Sequence, residues 1–513
     1  MPIDQPDAQG FEALATANRL AIDPADLSTY LGAATGLLQS WNVVEELYTE
    51  VAPVIPERVC RRPSEEENPL GAWYVTTEIT GAPDGPLAGR RVAIKDNTAV
   101  AGIPMMNGSR TVEGFVPATD STVAARLLEA GATIAGKAVC EDLCFSGGSH
   151  TSKTGPVRNP WDTTRSAGGS SSGSGALVAS GEVDFAIGGD QGGSIRIPSA
   201  FCGTVGHKPT FGLVPYTGAF PIEQSIDHLG PIARTVADAA LALNVLAGPD
   251  GLDPRQPDTI APVDYVAALQ ESATGLRIGV IAEGFGLANS EPEVDGTVRD
   301  AIATLEGAGL VAEEVSIPWH RHGAAIWDVI SVEGATFQMV EGNGYGMNWK
   351  GYYDPELIAH YGRQWREHPG AFSETVKLVA LAGKHALGTE YGRHYAMARA
   401  LEASLREAYD EALATYDVLV LPTVPIRASV IPGPDASVEE VLGRALEMVA
   451  NTCPFDVTGH PACSVPAGLA DGLPVGLMIV GKLFDDATVL RVAQALETAV
   501  GGFPLPTTVR SNA

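Results

Sequence analysis

The stretch VDFAIGGDQGGSIRIPSAFCG, residues 183–203, sets Ser194 just past a short apolar run and behind the turn Gly188-Gly189-Asp190-Gln191-Gly192-Gly193. Glycines in such a turn let backbone N–H groups close on a substrate oxygen with no Cβ in the way, and successive N–H groups form an anion-binding nest. The pattern predicts a nucleophilic serine beside an oxyanion hole, although a tight turn with a capping serine has the same composition. A nucleophilic serine needs a base, and two kinds are on offer. His150, His207, His228 and His460 fall in the same part of the chain. Lys95 ends the run Arg91-Val92-Ala93-Ile94, where burial would favour the neutral amine, a competent proton acceptor. A salt bridge to Asp96 is the plainer reading of that lysine, and both bases stay open at this level.

A second serine-rich stretch, SAGGSSSGSGA at 166–176, admits three readings. A flexible linker would have polar flanks, yet GALVASGEVDFAIGGD reads as a helix running into a buried strand. A phosphate-binding loop of the Walker type needs Gly-Lys-Ser/Thr, and the stretch has no lysine. Gly169-Ser170-Ser171-Ser172-Gly173 satisfies G-x-S-x-G, which would make Ser171 the nucleophile of an α/β hydrolase. That elbow requires a buried strand directly before it, and VRNPWDTTRSAG is a polar loop.

The elements that must position these residues form an alternating series. RRVAIKD, VDFAIGGD, LRIGVI, DVLVLPT and VGLMIVG are short apolar runs, separated by helical patterns such as STVAARLLEAG and TVADAALALNVLAG. Buried strands alternating with helices predict an α/β fold with a sheet covered on both faces. Residues 1 to about 70 read as short helices. Residues 286–415 are helical and rich in large aromatics, Trp319, Trp327, Phe337, Tyr345, Trp349, Tyr352, Tyr353 and Trp365 among them, as suits a helical core or the wall of a pocket.

Composition narrows the partners. With 33 Lys and Arg against 62 Asp and Glu, the formal charge of −29 lacks the concentrated basic surface that nucleic acid requires. No apolar stretch reaches the ~18 residues of a membrane span, and the first residues lack the basic start and apolar run of a signal peptide. Six cysteines in 513 residues suit reduced thiols, and a cytoplasmic location is expected. Cys140 and Cys144 lie four apart, with no second close Cys/His pair to complete a zinc site.

Taken together, VAIKDN at 92–97, AGGSSSGSGA at 167–176 and GGDQGGSIRIPSAFCGTVGHKPT at 188–210 resemble the amidase signature family, in which a lysine after a short strand is followed by Gly-Gly-Ser-Ser and Asp-x-Gly-Gly-Ser. FDVTGHPACSVPAG and GLPVGLMIVGKLFDDATVL near the C-terminus look like the family's closing segment. ENPLGAWYVTT (67–77), MMNGSRTVEGF (105–115), AVCEDLCFSG (138–147) and GNGYGMN (342–348) bring it closest to the amidases that partner nitrile hydratases in actinobacteria.

The resemblance implies a mixed, twisted central sheet covered by helices. It divides the chain into an N-terminal helical extension (1–80) that dimerises and walls the channel, a large domain (81–285 and 416–513), and a small aromatic-rich domain (286–415). It implies a Ser-cisSer-Lys triad in which Ser194 attacks and Ser170, after a cis peptide bond, relays a proton to or from Lys95. Gln191, Gly192 and Gly193, with the Ser194 N–H, would form the oxyanion hole. Cys144, Phe145, Gly147, Ile222 and Trp327 are the expected substrate-binding residues, with Asp190, Arg196 and Ser171 behind them. The expected reaction converts an amide to its acid and ammonia or an amine, with no cofactor or metal. The alternatives are a carbamate (urethane) or anilide hydrolase and, further off, the catalytic chain of an amidotransferase. Where relatives commonly read Gly-Gly-Ser-Ser-Gly-Gly, this chain has Ser172 and then Gly173.

Overall fold

A computed structural model describes residues 3–344, 350–368 and 370–507. The chain forms two units, Met1–Pro56 and Glu57–Ala513. The first holds the helices Ala8–Ala17 and Leu27–Val51. Asp7 caps the first of them by accepting from the Gly10 N–H at 2.7 Å, satisfying one of the N–H groups a helix start leaves free. The Ile3 N–H donates to Asn42 Oδ1 at 3.1 Å, tying the start of the chain to the second helix.

The second unit is built on a twelve-stranded sheet. In chain order its strands are β1 (Cys60–Arg61), β2 (Trp73–Thr80), β3 (Arg91–Lys95), β4 (Thr133–Ala138), β5 (Phe185–Asp190), β6 (Val205–Lys208), β7 (His228–Ala233), β8 (Arg277–Ile281), β9 (Val311–Val315), β10 (Val418–Pro422), β11 (Ala462–Ala470) and β12 (Leu473–Gly481). Across the sheet they run β1-β2-β4-β3-β5-β7-β6-β11-β12-β10-β8-β9. β4, β3 and β5 are mutually parallel, as are β10, β8 and β9, and the strands between these two groups pair antiparallel. Every residue of β4, β5, β7, β10 and β12 is buried, so both faces of the central sheet are covered.

The chain divides differently from the expected 1–80, 81–285 and 286–415. Residues beyond 56 leave the helical unit because Trp73–Thr80, with three buried residues followed by half-exposed ones, pairs with β4 as a strand of the main sheet. Residues 286–315 also belong to that sheet. The helix Pro292–Gly307 lays Val294, Val298, Ala301, Ile302 and Leu305 on the core, and β9 pairs parallel with β8. The helical, aromatic-rich insertion begins only at His320 and runs to Leu413. Among the described residues no helix is long and apolar enough to cross a membrane.

Parallel neighbours present their C-terminal ends at one edge, which is where open α/β sheets bind ligands. β3 ends on Lys95 and β5 on Asp190, so the lysine and the glycine turn meet there. The serine-rich stretch reaches the same edge as the approach to the helix Ser172–Ser180, which is fully buried up to Ala179 and stops at Gly181 with φ +80°. Gly173 allows this approach. A Cβ there would come within 2.3 Å of Ala72 O and 2.6 Å of Val139 N, both backbone atoms. The Gly173 N–H donates to Val139 O at 2.9 Å. Ser172, the residue out of pattern, has room for its side chain, and its Oγ lies 3.4 Å from Ser170 O. Gly173→Ala is therefore expected to lower stability by roughly 1–3 kcal/mol, because backbone cannot step aside as a side chain can. Ser172→Gly should change it by less than about 1 kcal/mol. Thermal unfolding of the two variants measures the contrast.

Candidate active site

Lys95 is fully buried, and its Nζ donates to Ser170 Oγ at 2.7 Å and to Gly189 O at 3.2 Å. The Gly169–Ser170 peptide bond is cis. Ser171 fastens this loop to β5 from the other side: its Oγ donates to Gly189 O at 3.1 Å and accepts from the Gly189 N–H at 3.2 Å. The Ser171 N–H donates to Ser194 O at 3.3 Å, which brings the two serine segments into register. Among the described residues no hydrogen bond joins the Ser170 and Ser194 hydroxyls; such contacts tighten when substrate binds.

The glycine turn is held from behind by a buried ion cluster. Asp190 Oδ1 accepts from the Gly193 N–H at 2.5 Å and from Arg196 Nη2 at 3.0 Å, while Oδ2 accepts from the Ile195 N–H and Arg196 Nε, each at 3.0 Å. Arg196 also donates to Asp456 Oδ2 at 2.7 Å and to Thr452 O at 2.8 Å. Burial alone would raise the Asp190 carboxyl. The Arg196 charge and hydrogen bonds outweigh it and hold the group well below the usual carboxylate range. Asp456 shares the same guanidinium and moves the other way, raised by burial and by the charge of Asp190.

The turn's carbonyls are taken as well. Trp327 Nε1 donates to Gln191 O at 2.6 Å, and Thr452 Oγ1 donates to Gly192 O at 2.6 Å. Gly193, at φ +134°, has no room for a side chain, since a Cβ would fall 2.3 Å from Thr452 Oγ1. With the carbonyls anchored and the Gly193 N–H given to Asp190, the N–H groups of Gln191, Gly192 and Ser194 have no hydrogen-bond partner among the described residues. The free N–H groups of the turn therefore differ from the expected oxyanion set by the loss of Gly193. Gly193 contributes its backbone shape, and its N–H serves the carboxylate behind the turn.

Ser194, 8% exposed, opens on a narrow cavity whose wall includes Cys144, Phe145, Gly147, Ile222 and Trp327. Ile226, Leu446 and Val449 extend the wall, and none of its side chains is charged. Of the described aromatics between 319 and 365, only Trp327 lines this cavity. Tyr345 and Trp349, with most of the GNGYGMN segment, lie outside the described residues.

The histidines do other work. His207 contacts Asp486 at 2.9 Å, and His228 contacts Lys208 Nζ at 3.3 Å. His460 bridges Thr458 and Asp410, while His150 bridges the Gly148 and Val441 carbonyls. None is hydrogen-bonded to Ser194. Sequence reading missed Asp456, Thr452 and Tyr216, whose Oη accepts from Gln191 Nε2 at 3.1 Å. A lone acid inside the apolar PFDVTG was the one visible signal, because a buried carboxylate requires a cation somewhere.

Arg196→Met should leave Asp190 and Asp456 buried without the guanidinium that both hydrogen-bond, at a cost of about 3–5 kcal/mol. A large fall in Tm together with loss of activity is the expected outcome, measured by thermal unfolding and by assay of the soluble fraction.

A family model for amidases matches residues 43–490. The chain is 60% identical over 466 residues to an enantioselective amidase of Rhodococcus rhodochrous, covering 90% of this chain and 89% of that protein. It is 39% identical over 417 residues to the A chain of the glutamyl-tRNA(Gln) amidotransferase of Methanosarcina acetivorans, covering 81% of this chain and 85% of that one. Among solved structures, the peptide amidase of Stenotrophomonas maltophilia matches with a TM-score of 0.68 at 30% identity, over 83% of this chain and 85% of that one. By sequence and by fold alike, the chain belongs to the amidase signature family.

Proposed function

We propose that the protein hydrolyses uncharged carboxylic amides through an acyl-enzyme on Ser194, with Ser170 as proton relay and Lys95 as base. The observation that carries this reading is the fully buried Lys95–Ser170 contact beside a cavity that holds Ser194 and three unpartnered backbone N–H groups. Lys95, as base, takes the Ser170 proton across that 2.7 Å contact, and Ser170 takes the proton of Ser194 as its Oγ attacks the amide carbonyl. The N–H groups of Gln191, Gly192 and Ser194 receive the charge that develops on oxygen, and one such donor is typically worth ~3–4 kcal/mol of barrier. The proton returns through Ser170 to the leaving nitrogen, and ammonia or an amine departs. Water then reverses the steps to release the acid.

The uncharged wall of Phe145, Ile222, Ile226, Trp327, Leu446 and Val449 favours an apolar acyl group. A carbamate or an anilide offers the same carbonyl to the same groups. A panel of aliphatic amides, benzamide, an anilide and an aryl carbamate separates these substrates. Ser194→Ala, Ser170→Ala and Lys95→Ala should each lower kcat by roughly a thousandfold or more in a folded protein. Mass spectrometry should find the acyl group on Ser194. A Lys95→Ala variant with near wild-type rate at neutral pH would overturn the assignment.

The protein is further proposed to act as a homodimer through the helix Leu27–Val51. None of its 25 residues is buried, and Tyr30, Leu37, Trp41, Val44 and Val51 are exposed at spacings of three, four and seven. Such a stripe lies on one helical face and is more apolar than a free surface normally shows. Light scattering should give a dimer mass for the wild type and a monomer mass for Leu37→Glu/Val44→Glu. A monomeric wild type would refute this.

A further inference from the structure

Two cysteines that the proposed chemistry does not use lie directly against it. Cys140 follows β4, and Cys144 closes the short 3-10 turn Asp142–Cys144. Leu143 and Cys144 both have positive φ, 47° and 60°, a conformation that side-chain-bearing residues seldom adopt. The turn is held by the Leu143 N–H donating to Asn107 O at 3.0 Å and the Cys144 N–H donating to Glu141 O at 2.9 Å. It brings both thiols to one acceptor: Cys140 Sγ and Cys144 Sγ donate to Asn107 Oδ1 at 3.4 Å and 3.2 Å. The shared acceptor holds the two sulfurs beside one another, and Lys95 and Ser170 act on the Cys144 thiol.

Their exposures differ. Cys140 is sealed in the core, whereas Cys144 is part of the wall of the cavity on which Ser194 opens. A small molecule in that cavity can meet Cys144 but not Cys140. Burial would raise the Cys144 thiol, but the neighbouring Cys140 thiol, the Lys95 amine and the Ser170 hydroxyl draw it down to about 7. The other five cysteines are all pushed up, chiefly by burial.

We propose that Cys144 and Cys140 form a peroxide-reactive dithiol site opening on the acyl cavity, with Cys144 as the attacking thiol and Cys140 as the resolving one. The Cys144 thiolate attacks one peroxide oxygen. The O–O bond breaks, hydroxide leaves and is protonated to water, and Cys144 becomes a sulfenic acid. The Cys140 sulfur then attacks the Cys144 sulfur, and the S–O bond breaks. The hydroxyl departs as water with the Cys140 proton, leaving a disulfide. Two thiols are oxidised by two electrons in total, and one peroxide is reduced to two waters. The bond draws the Cys144 sulfur toward Cys140, away from Lys95 and Ser170, and reshapes the acyl wall. A dithiol reductant reverses it by exchange.

The loss of activity rests on the Lys95–Ser170 assignment, while the formation of the bond does not, so activity and peptide mapping are measured separately. Full-length enzyme treated with hydrogen peroxide should lose more than about tenfold of its amide hydrolysis and yield a cross-linked Cys140–Cys144 peptide lighter by two hydrogens. Dithiothreitol should reverse both changes, and a slowly hydrolysed amide in the cavity should retard both. In Cys140→Ser the cross-link should vanish. Cys144 should instead advance to the sulfinic acid, with a loss, relative to the variant's own untreated rate, that dithiothreitol no longer restores. Peroxide that inactivates the enzyme while leaving Cys144 a thiol would overturn the proposal, as would oxidation of Cys144 in the wild type with no cross-link to Cys140.

Discussion

The guanidinium of Arg196, sealed from solvent, ties together two stretches of the chain that lie far apart in sequence. It spans Asp190 at the end of β5 and the Asp456 carboxylate, and it reaches the carbonyl of Thr452. Two anions compete for one cation in a low-dielectric interior, and the outcome is lopsided. Asp190, with backbone N–H groups to help, is held ionised, and Asp456 is driven toward its neutral form. That asymmetry makes Asp190 a fixed negative clamp on the N–H groups of Gly193 and Ile195. A turn clamped from behind presents its remaining N–H groups without having to reorganise, which is the condition under which backbone dipoles best stabilise developing charge.

Much of this site was legible in the sequence because the chemistry needs unusual residues in short order. A glycine-rich turn after an apolar run, a lysine at the end of another, and a serine stretch with structured flanks are each uncommon, and local spacing carries them. What was not legible depends on contacts across long sequence separations. Asp456 meets Arg196 across 260 residues, and Trp327 meets Gln191 across 136. The resemblance implied the Gly193 N–H as one more oxyanion donor, because a motif does not show where each N–H of a turn points. Only the position of the Asp190 carboxylate shows which of them is already spent.

The division of the chain has a different cause. Val311–Val315 pairs with β8, 34 residues earlier, and its largely exposed, Glu-bearing sequence has no apolar run to mark it as a strand of the sheet. By contrast, the alternation of short buried runs with helices from residue 90 onward was enough to place the central strands, because strands covered on both faces must be apolar throughout. Ser172 departs from the family pattern at a position where the fold has room for a side chain. The glycine that backbone contacts require is its neighbour, Gly173.

Trp327 stands in two places at once. Its indole forms part of the cavity wall beside Ser194, and its Nε1 anchors the carbonyl of Gln191, whose own N–H is among the unpartnered donors. The peptide unit joining Gln191 to Gly192, whose N–H is another of those donors, cannot turn without straining that bond. One side chain thus serves both as cavity wall and as anchor of the turn, so a change at Trp327 alters both together. Room for new substrates would have to come instead from Ile222, Leu446 or Val449, wall residues whose side chains form no hydrogen bond with the turn.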